Sequence, residues 1–537
     1  MKKKMQFVGI IIVTILLAFI STYPAFFNHS FKLTWDGPIH LWRFEAISDA
    51  LRNGKLPPIV NFMGYGNVGE AFNGIYPWLT SLIFVIPRII FTNKLLLALF
   101  VGFYLLNTLT ILNAYLLVRK LSENYWIKII GITLYQLNSY HMMLLYSRDA
   151  WGEALAYTFL PLVMLGCYLI WNNKKLGILH LSLGMGLIVN SHVISIILII
   201  VLISIMEIYR VCLLKVTFKE FKYFILSGLL TIPSVIFTIT NILNIIIKNA
   251  IKSPWKGFIV VDTWQSLQAM LQNKITIFNI GFVSFILLCI LFILAIVTKS
   301  NGVWRKYIIG AGVAYFLTLN IVPLPTGISQ SFIGTIQFAG RLLAIVMLLL
   351  TTGCVLFFKE NIAKLNLRHI SYFLMIFMSI LTISTIRDCY HDIGNNSVNY
   401  VIDNNNYKKE ISKSNGGYGD YMLVTKNRKP IFNETSIPQS IIISVKYNSI
   451  TMKPKEKVSQ IPFLIYKGIP YTVMINEKKQ IIQTGKLIKV RAGDKVKIES
   501  NATWWNYACF TISILSLSII TIIVLYGECR WHGTGAI

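Results

Sequence analysis

Charge is scarce in this chain. Of its 537 residues only 13% are Asp, Glu, Lys or Arg, where a soluble globular protein carries about 25%. That shortage excludes a soluble enzyme and a disordered chain. Cysteine offers no framework either. The seven cysteines are scattered, mostly inside apolar runs, with no C-x-x-C pair. Cys389 falls on one side of the predicted bilayer and Cys212 and Cys529 on the other, each without a neighbour in sequence to pair with. This argues against a disulfide scaffold or a structural zinc site. The period-2 alternation of a porin-like barrel is also missing. What is abundant is apolar sequence, 55% of the chain, with a mean hydropathy of +0.62. It gathers in runs of roughly 18–25 residues, the length that crosses a bilayer as helix. The predicted class is therefore an all-α polytopic membrane protein.

The net charge of +28 does not point to nucleic acid. Much of the basic excess lies in short loops between apolar runs, where it sets membrane orientation. Met1 and Lys2–Lys4 precede an apolar run from Gln6 to Phe27. That run exceeds a signal-peptide core and shows no small-x-small cleavage pattern, so it reads as an uncleaved first span starting in the cytoplasm. Arg119, Lys120, Lys174, Lys175, Arg210, Lys299, Lys359 and Arg368 then mark successive cytoplasmic ends. They imply about twelve spans, with Arg148 the one outer exception among the short loops. Both termini are predicted to be cytoplasmic. Two outer interfacial helices are expected, at about 36–53 and about 75–90, the latter broken by Pro77 and Pro87. Spans are expected over about 129–146, 176–191 and 307–323, among others. Residues 388–503 alternate apolar and polar positions with turn signals between them, as in Ile441–Val445 and Leu487–Val490. They predict a small β-sandwich-like domain on the outer face. Residues 504–537 supply a last helix and a short tail, which leaves 1–387 as the main membrane domain.

Charged side chains near a bilayer are costly and are therefore candidates for function. After the first span, Asp36, His40 and Arg43 fall at i, i+4 and i+7, one face of an amphipathic helix. An acid, an imidazole and a guanidinium there can deprotonate an acceptor and hold a phosphate. The plainer account is a helix cap at Asp36, followed by Gly37-Pro38, with His40 and Arg43 in the headgroups. Arg148, Asp149 and Glu153 form a second group. Acids suit a helix first turn, yet Glu153 enters an otherwise apolar helix, and the planar fork of Arg148 suits a lipid phosphate. His192 lies in a hairpin turn, where a solvated histidine is the ordinary case. Gln337 and Arg341 open a later span, and a cation one turn inside needs an acid or an anionic ligand. All four regions fall on the predicted outer face.

These motifs, in order, resemble a known family. Trp35-Asp36-Gly37-x-x-His40-x-x-Arg43, Tyr76-Pro77, Arg148-x4-Glu153 running to Leu160-Pro161-Leu162, Ser191-His192 and Gln337-Phe338-x-x-Arg341 resemble the bacterial 6-pyruvoyl-tetrahydropterin synthase-related membrane proteins. Gly417-Tyr418-Gly419-Asp420-Tyr421 and the strand region are similar to the tail of YfhO-like proteins. No zinc-histidine set of a pterin synthase is visible. The family is similar in turn to membrane glycosyltransferases of the C type (GT-C), whose donors are polyprenyl-phosphate sugars. The resemblance implies a GT-C-like membrane domain in a bacterial plasma membrane. It also implies that Asp36 is a general base or metal contact, that Arg148, Asp149 and Glu153 form a second-loop cluster, and that Arg341 contacts the donor phosphate. Ala339-Gly340 stands where relatives usually carry a Pro-aromatic pair. A divalent cation is compatible with the carboxylates but not required by them.

Three functions follow. One is transfer of a sugar from a polyprenyl-phosphate donor to a glycan or lipid acceptor outside the cell. Another is flipping or transport of a lipid-linked sugar, although no charge sits at the centre of a span and no internal repeat is evident. The last is non-catalytic glycan binding through the β domain, with Tyr418, Tyr421, Tyr466 and Tyr471 as contacts. Membrane lipid is a partner in all three.

Overall fold

The computed structural model describes residues 2–298, 301–325, 327–391, 400–413, 420–425, 427–431, 436–454 and 460–533. Among these residues, eight helices are long and apolar enough to cross a membrane: Lys4–Phe26, Leu95–Leu121, Trp151–Trp171, Val193–Cys212, Phe218–Lys248, Ala339–Glu360, Leu367–His391 and Trp504–Glu528. Trp151–Trp171 and Ala339–Glu360 form the buried middle of the bundle, while Val193–Cys212 and Trp504–Glu528 expose most of their apolar side chains.

Several expected spans are shorter or broken. The run 129–146 divides into Tyr125–Gln136 and Ser139–Tyr146. Asn138 causes the break: its Oδ1 accepts the His141 backbone N–H at 3.0 Å, and its Nδ2 donates to the Tyr157 hydroxyl at 2.9 Å. Such a side chain caps a new helix instead of continuing the old one. Residues 176–191 hold a helix of 14 residues, Leu176–Val189, and 307–323 one of 13, Trp304–Phe316. The segment after Ile75, expected as an interfacial helix and not as a span, contains a 3-10 turn, Leu79–Ser81, and a nine-residue helix, Leu82–Ile90, well short of the ~20 residues that span a bilayer. Arg88 of this helix is buried and bonds Glu45 Oε2 and the Tyr407 hydroxyl, each at 3.0 Å.

The helix Gly37–Arg52 follows a short strand, Phe31–Leu33, which pairs antiparallel with Tyr400–Ile402. The stretch after the Leu367–His391 helix is thus stitched to the start of the chain. The larger sheet begins at Ile442. Its strands lie in the order Ile442–Lys446, Ser449–Met452, Val496–Ser500, Tyr471–Ile475, Lys478–Gln480, all antiparallel, with a register shift between Ile442 and Ser444. A separate pair joins Gln460–Ile461 to Ile488–Lys489. The apolar face of the sheet shares a core with Val60, Phe62 and Val68. The backbone bonds Leu464 N to Val68 O (2.7 Å) and Ile437 N to Gly66 O (2.8 Å) fasten it there. The sheet therefore rests on the loop behind the Gly37–Arg52 helix, at the end of the bundle where Trp151–Trp171 begins. We call this the sheet end.

Candidate functional site

Glu153, in the first turn of Trp151–Trp171, is the hub. Its Oε1 accepts the Tyr140 hydroxyl at 2.6 Å. Its Oε2 lies 3.2 Å from Arg341 Nε and 3.5 Å from Arg148 Nη1. One carboxylate thus faces two guanidinium groups, all little exposed. Arg341 also donates from Nη1 to Ile336 O at 2.7 Å and to Gln337 Oε1 at 3.0 Å. Gln337 holds a left-handed backbone (φ 65) and anchors its Nε2 on Trp255 O at 2.8 Å. Both guanidinium carbons lie over the Phe338 ring, Arg148 at 5.2 Å and Arg341 at 5.4 Å. Cation–π contact thereby holds the two like charges near each other. Among the described residues, no protein acceptor meets Arg341 Nη2, or Nε and Nη2 of Arg148.

Asp36 faces this cluster. Its backbone N–H donates to Arg148 O at 3.2 Å. It stands at the cap position of Gly37–Arg52, yet its side chain makes no cap hydrogen bond. Burial raises its proton affinity, and the nearby charges of Arg148 and Arg341 oppose that rise. A carboxylate so placed is a stronger base than one in water. The cap explanation for Asp36 therefore lacks its bond.

Asp149 has a different place. It is fully buried with a left-handed backbone (φ 50), and its Oδ2 accepts the Thr34 N–H at 2.6 Å. A Cβ on Gly37 would collide with that oxygen, which explains why glycine follows Asp36. Burial pushes the Asp149 carboxyl up to about 8. The structure makes Asp149 the staple that positions the Asp36 turn, not a group open to a substrate.

His40 and Arg43 share a face as the spacing predicted, and both meet Tyr76. The His40 ring stacks on Trp151 (centroids 5.5 Å) and stands edge-on to Tyr76 (5.6 Å). Its Nδ1 has no partner, and burial holds its pKa well below the usual range, so it is neutral. Arg43 lies over Tyr76 at 4.7 Å and donates through Nη2 to Tyr76 O (2.9 Å) and Pro77 O (3.1 Å). Its cation holds the Tyr76-Pro77 turn and does not reach the Glu153 cluster. His192 joins from the other side, 6.0 Å from the Tyr76 ring, with Nδ1 at 2.8 Å from Ser195 Oγ. Burial lowers its pKa to about 3, against the pull of Glu153.

Four further groups matter here: the sequence reading named Tyr76 only within a motif and Tyr421 only as a candidate glycan contact, and did not single out Tyr140 or Glu70. Tyr140 holds Glu153. Tyr76 is the ring shared by His40, Arg43 and His192. Gly152 leaves it room, since a Cβ there would collide with its hydroxyl. Tyr421 (φ 64) packs edge-on to Phe72 at 5.7 Å, and Arg341 and Arg43 are among the charges that act on its phenol. Glu70 is fully buried with neither carboxylate oxygen partnered among the described residues, and burial pushes it up to about 8, with Asp420 adding to the rise. The hints for these were the Tyr76-Pro77 pair and the Asp420-Tyr421 motif, whose first members, Gly417, Tyr418 and Gly419, lie outside the described residues. Among the described residues no group of three His, Cys, Asp or Glu side chains stands ready to hold a metal ion.

Chemically, the cluster sets one unengaged carboxylate opposite two cations with free N–H groups. That combination can accept a proton and bind an oxyanion. No protein-family model matches the chain, and no curated protein matches it.

Proposed function

We propose that the chain is a membrane glycosyltransferase of GT-C type, related to the 6-pyruvoyl-tetrahydropterin synthase-related and YfhO-like proteins. In this reading about twelve spans cross a bacterial plasma membrane, both termini are cytoplasmic, and the sheet end faces outward with a β-sandwich-like domain. The donor is a polyprenyl-phosphate sugar and the acceptor a glycan or lipid of the envelope. The observation that carries the reading is Asp36, a carboxylate without its cap bond, beside guanidinium groups that Glu153 only partly neutralises.

Asp36 takes the proton of the acceptor hydroxyl as that oxygen attacks the anomeric carbon. The bond from this carbon to the phosphate oxygen breaks, and the polyprenyl phosphate leaves with the electron pair. Free N–H groups of Arg148 and Arg341 stabilise the charge that develops on the leaving phosphate. Glu153, already bonded to Tyr140 and Arg341, positions the arginines. Neutral His40 and His192, with Tyr76, line the acceptor side.

The test is transfer of radiolabelled sugar from polyprenyl-phosphate hexoses in reconstituted membranes. Asp36→Asn should abolish transfer while expression and thermal stability persist, and Arg341→Ala, which also breaks a buried ion pair, should abolish transfer per folded molecule. Full transfer by both variants would overturn the reading. The flippase alternative draws on one observation, a buried polar string in which Asn107 Oδ1 accepts Gln136 Nε2 (2.8 Å) and lies 3.1 Å from His141 Nε2. Movement of the labelled donor across the bilayer without acceptor would favour it.

A further inference from the structure

A well-lined cleft of the sheet end lies apart from this cluster. It opens where the C-terminal part of Phe218–Lys248, the start of the Trp504 helix and the loop Gly468–Pro470 meet, with a volume of about 380 Å³. None of Asp36, Arg148, Glu153 and Arg341 lines it. The three elements are fastened around it. Asn244 Nδ2 donates to Gly468 O at 3.1 Å, and Asn506 Nδ2 donates to Asn241 Oδ1 at 2.9 Å. Gly468 adopts φ 86, and a Cβ there would press on the Lys248 side chain, so the loop can approach only as glycine.

Two kinds of surface meet in this cleft. One wall is carboxamide: Asn241, Asn244, Asn501 and Asn506. The other is apolar, with Leu243, Ile247 and Trp505. Lys248 is the single charged side chain of the lining, and no carboxylate shares it. Among the described residues its ammonium donates only to Asn244 Oδ1, at 2.6 Å, and pairs with no carboxylate. Asn241 is buried, yet its Nδ2 meets no acceptor among the described residues. That N–H is not among the buried unpartnered atoms, so it is open to the cleft it lines.

The side chains around the cleft suit a bilayer surface. Trp504 and Trp505 are exposed at its edge, and tryptophan gathers at the headgroup level of a bilayer. Below them the outward faces of both helices carry exposed Ile239, Ile512 and Leu515, side chains suited to acyl chains. A ligand for this place carries an anionic group for Lys248, hydroxyls for the asparagines and an apolar tail for the helix faces.

We propose that the cleft is a binding site for a phospholipid with a phosphoryl and hydroxyl headgroup, of the phosphatidylglycerol type, drawn from the leaflet at the sheet end. The site is independent of the glycosyl-transfer reading, because it shares no residue with the Asp36 cluster.

Native mass spectrometry of the full chain, released from phosphatidylcholine nanodiscs carrying graded phosphatidylglycerol, tests it. The wild type should retain one phosphatidylglycerol in preference to phosphatidylcholine. Lys248→Gln should weaken retention about fivefold, the weight of one cation near an anionic headgroup. Lys248→Arg should restore it, and Lys467→Gln, a lysine outside the cleft, should leave it unchanged. Asn241→Leu should weaken it further. If that variant fails to fold, the exposed Lys248 pair still decides. Quenching of tryptophan fluorescence by dibrominated phosphatidylglycerol should fall in parallel. Equal retention by wild type and Lys248→Gln, equal retention of phosphatidylcholine, or displacement by inorganic phosphate would each overturn the proposal.

Discussion

Two glutamates near opposite ends of the bundle are each held by two cations. Glu153 meets Arg148, Arg341 and the Tyr140 hydroxyl at the sheet end. Glu528 meets Arg119, Lys120 Nζ at 3.0 Å and His180 Nε2 at 3.3 Å near the far end. Both carboxylates are buried, and both bring together helices distant in sequence. The difference lies in what else is near. The Glu528 group ties the Trp504–Gly533 helix to Leu95–Leu121 and Leu176–Val189, which is work for a clasp. The Glu153 group has a second acid, Asp36, facing the same cations without a cap bond of its own, and its backbone is held in left-handed geometry at Asp149 and Gln337. Strain of this kind persists only where the surroundings enforce it, and it gathers at functional sites. A buried ion pair alone therefore says little about function, and a surplus group beside one says more.

The comparison breaks most visibly at the glutamates themselves. Removing the acid from a buried pair leaves an uncompensated charge and costs about 3–5 kcal/mol. Glu153→Gln and Glu528→Gln should both unfold at lower denaturant by that order. Only Glu153→Gln should also lose sugar transfer per folded molecule. Equal specific activity in the two variants would erase the distinction. Asp36→Asn sharpens it from the other side. The amide keeps the shape and removes a charge that burial penalises, so stability should hold or rise while transfer disappears.

Gly152→Ala should have a smaller effect. The new methyl meets the Tyr76 hydroxyl, and overpacking of this kind costs about 1–3 kcal/mol. Chemical denaturation would measure it, and an unchanged midpoint would mean that Tyr76 can move aside freely.

The last prediction concerns pH. Glu70 rises from 4.5 to about 8 in the folded chain, so between those values the native state binds a proton that the unfolded chain has released. Stability contributed at this position should fall as pH rises through that window and level off above it. The groups that act on it are Asp420, Tyr421 and Tyr466. Asp149, also pushed up to about 8, gives the same sign. The readout is therefore the melting temperature of the wild type minus that of Glu70→Gln, at pH 5 and pH 8. A difference independent of pH would show that the Glu70 carboxyl is solvated.

The helix i, i+4, i+7 spacing correctly placed His40 and Arg43 on one face, and both reach Tyr76. It could not say that the Arg43 guanidinium ends on the Tyr76 and Pro77 carbonyls, because those come from a turn 33 residues or more away in sequence. Asp149 and Glu153 look alike as two acids of one helix start. One is a backbone staple and the other a hub between arginines. Hydropathy has a similar blind spot. The Trp504–Glu528 window is the more apolar, at 2.5, and is 22% buried, while the Trp151–Trp171 window scores 1.8 and is 89% buried. A helix against lipid must be apolar all round, whereas one against protein can carry Glu153 and Thr158 if partners meet them.

Composition and the length of its apolar runs were sufficient to determine a helical, membrane-compatible chain with a strand region late in the sequence, since transfer from water depends on local apolar content. The tertiary structure alone decided which charges neutralise each other and which are left over. Coulombic pairing and hydrogen bonding depend on separations of a few ångströms, between residues such as Arg341 and Glu153 that lie 188 positions apart, and no local period encodes such a distance.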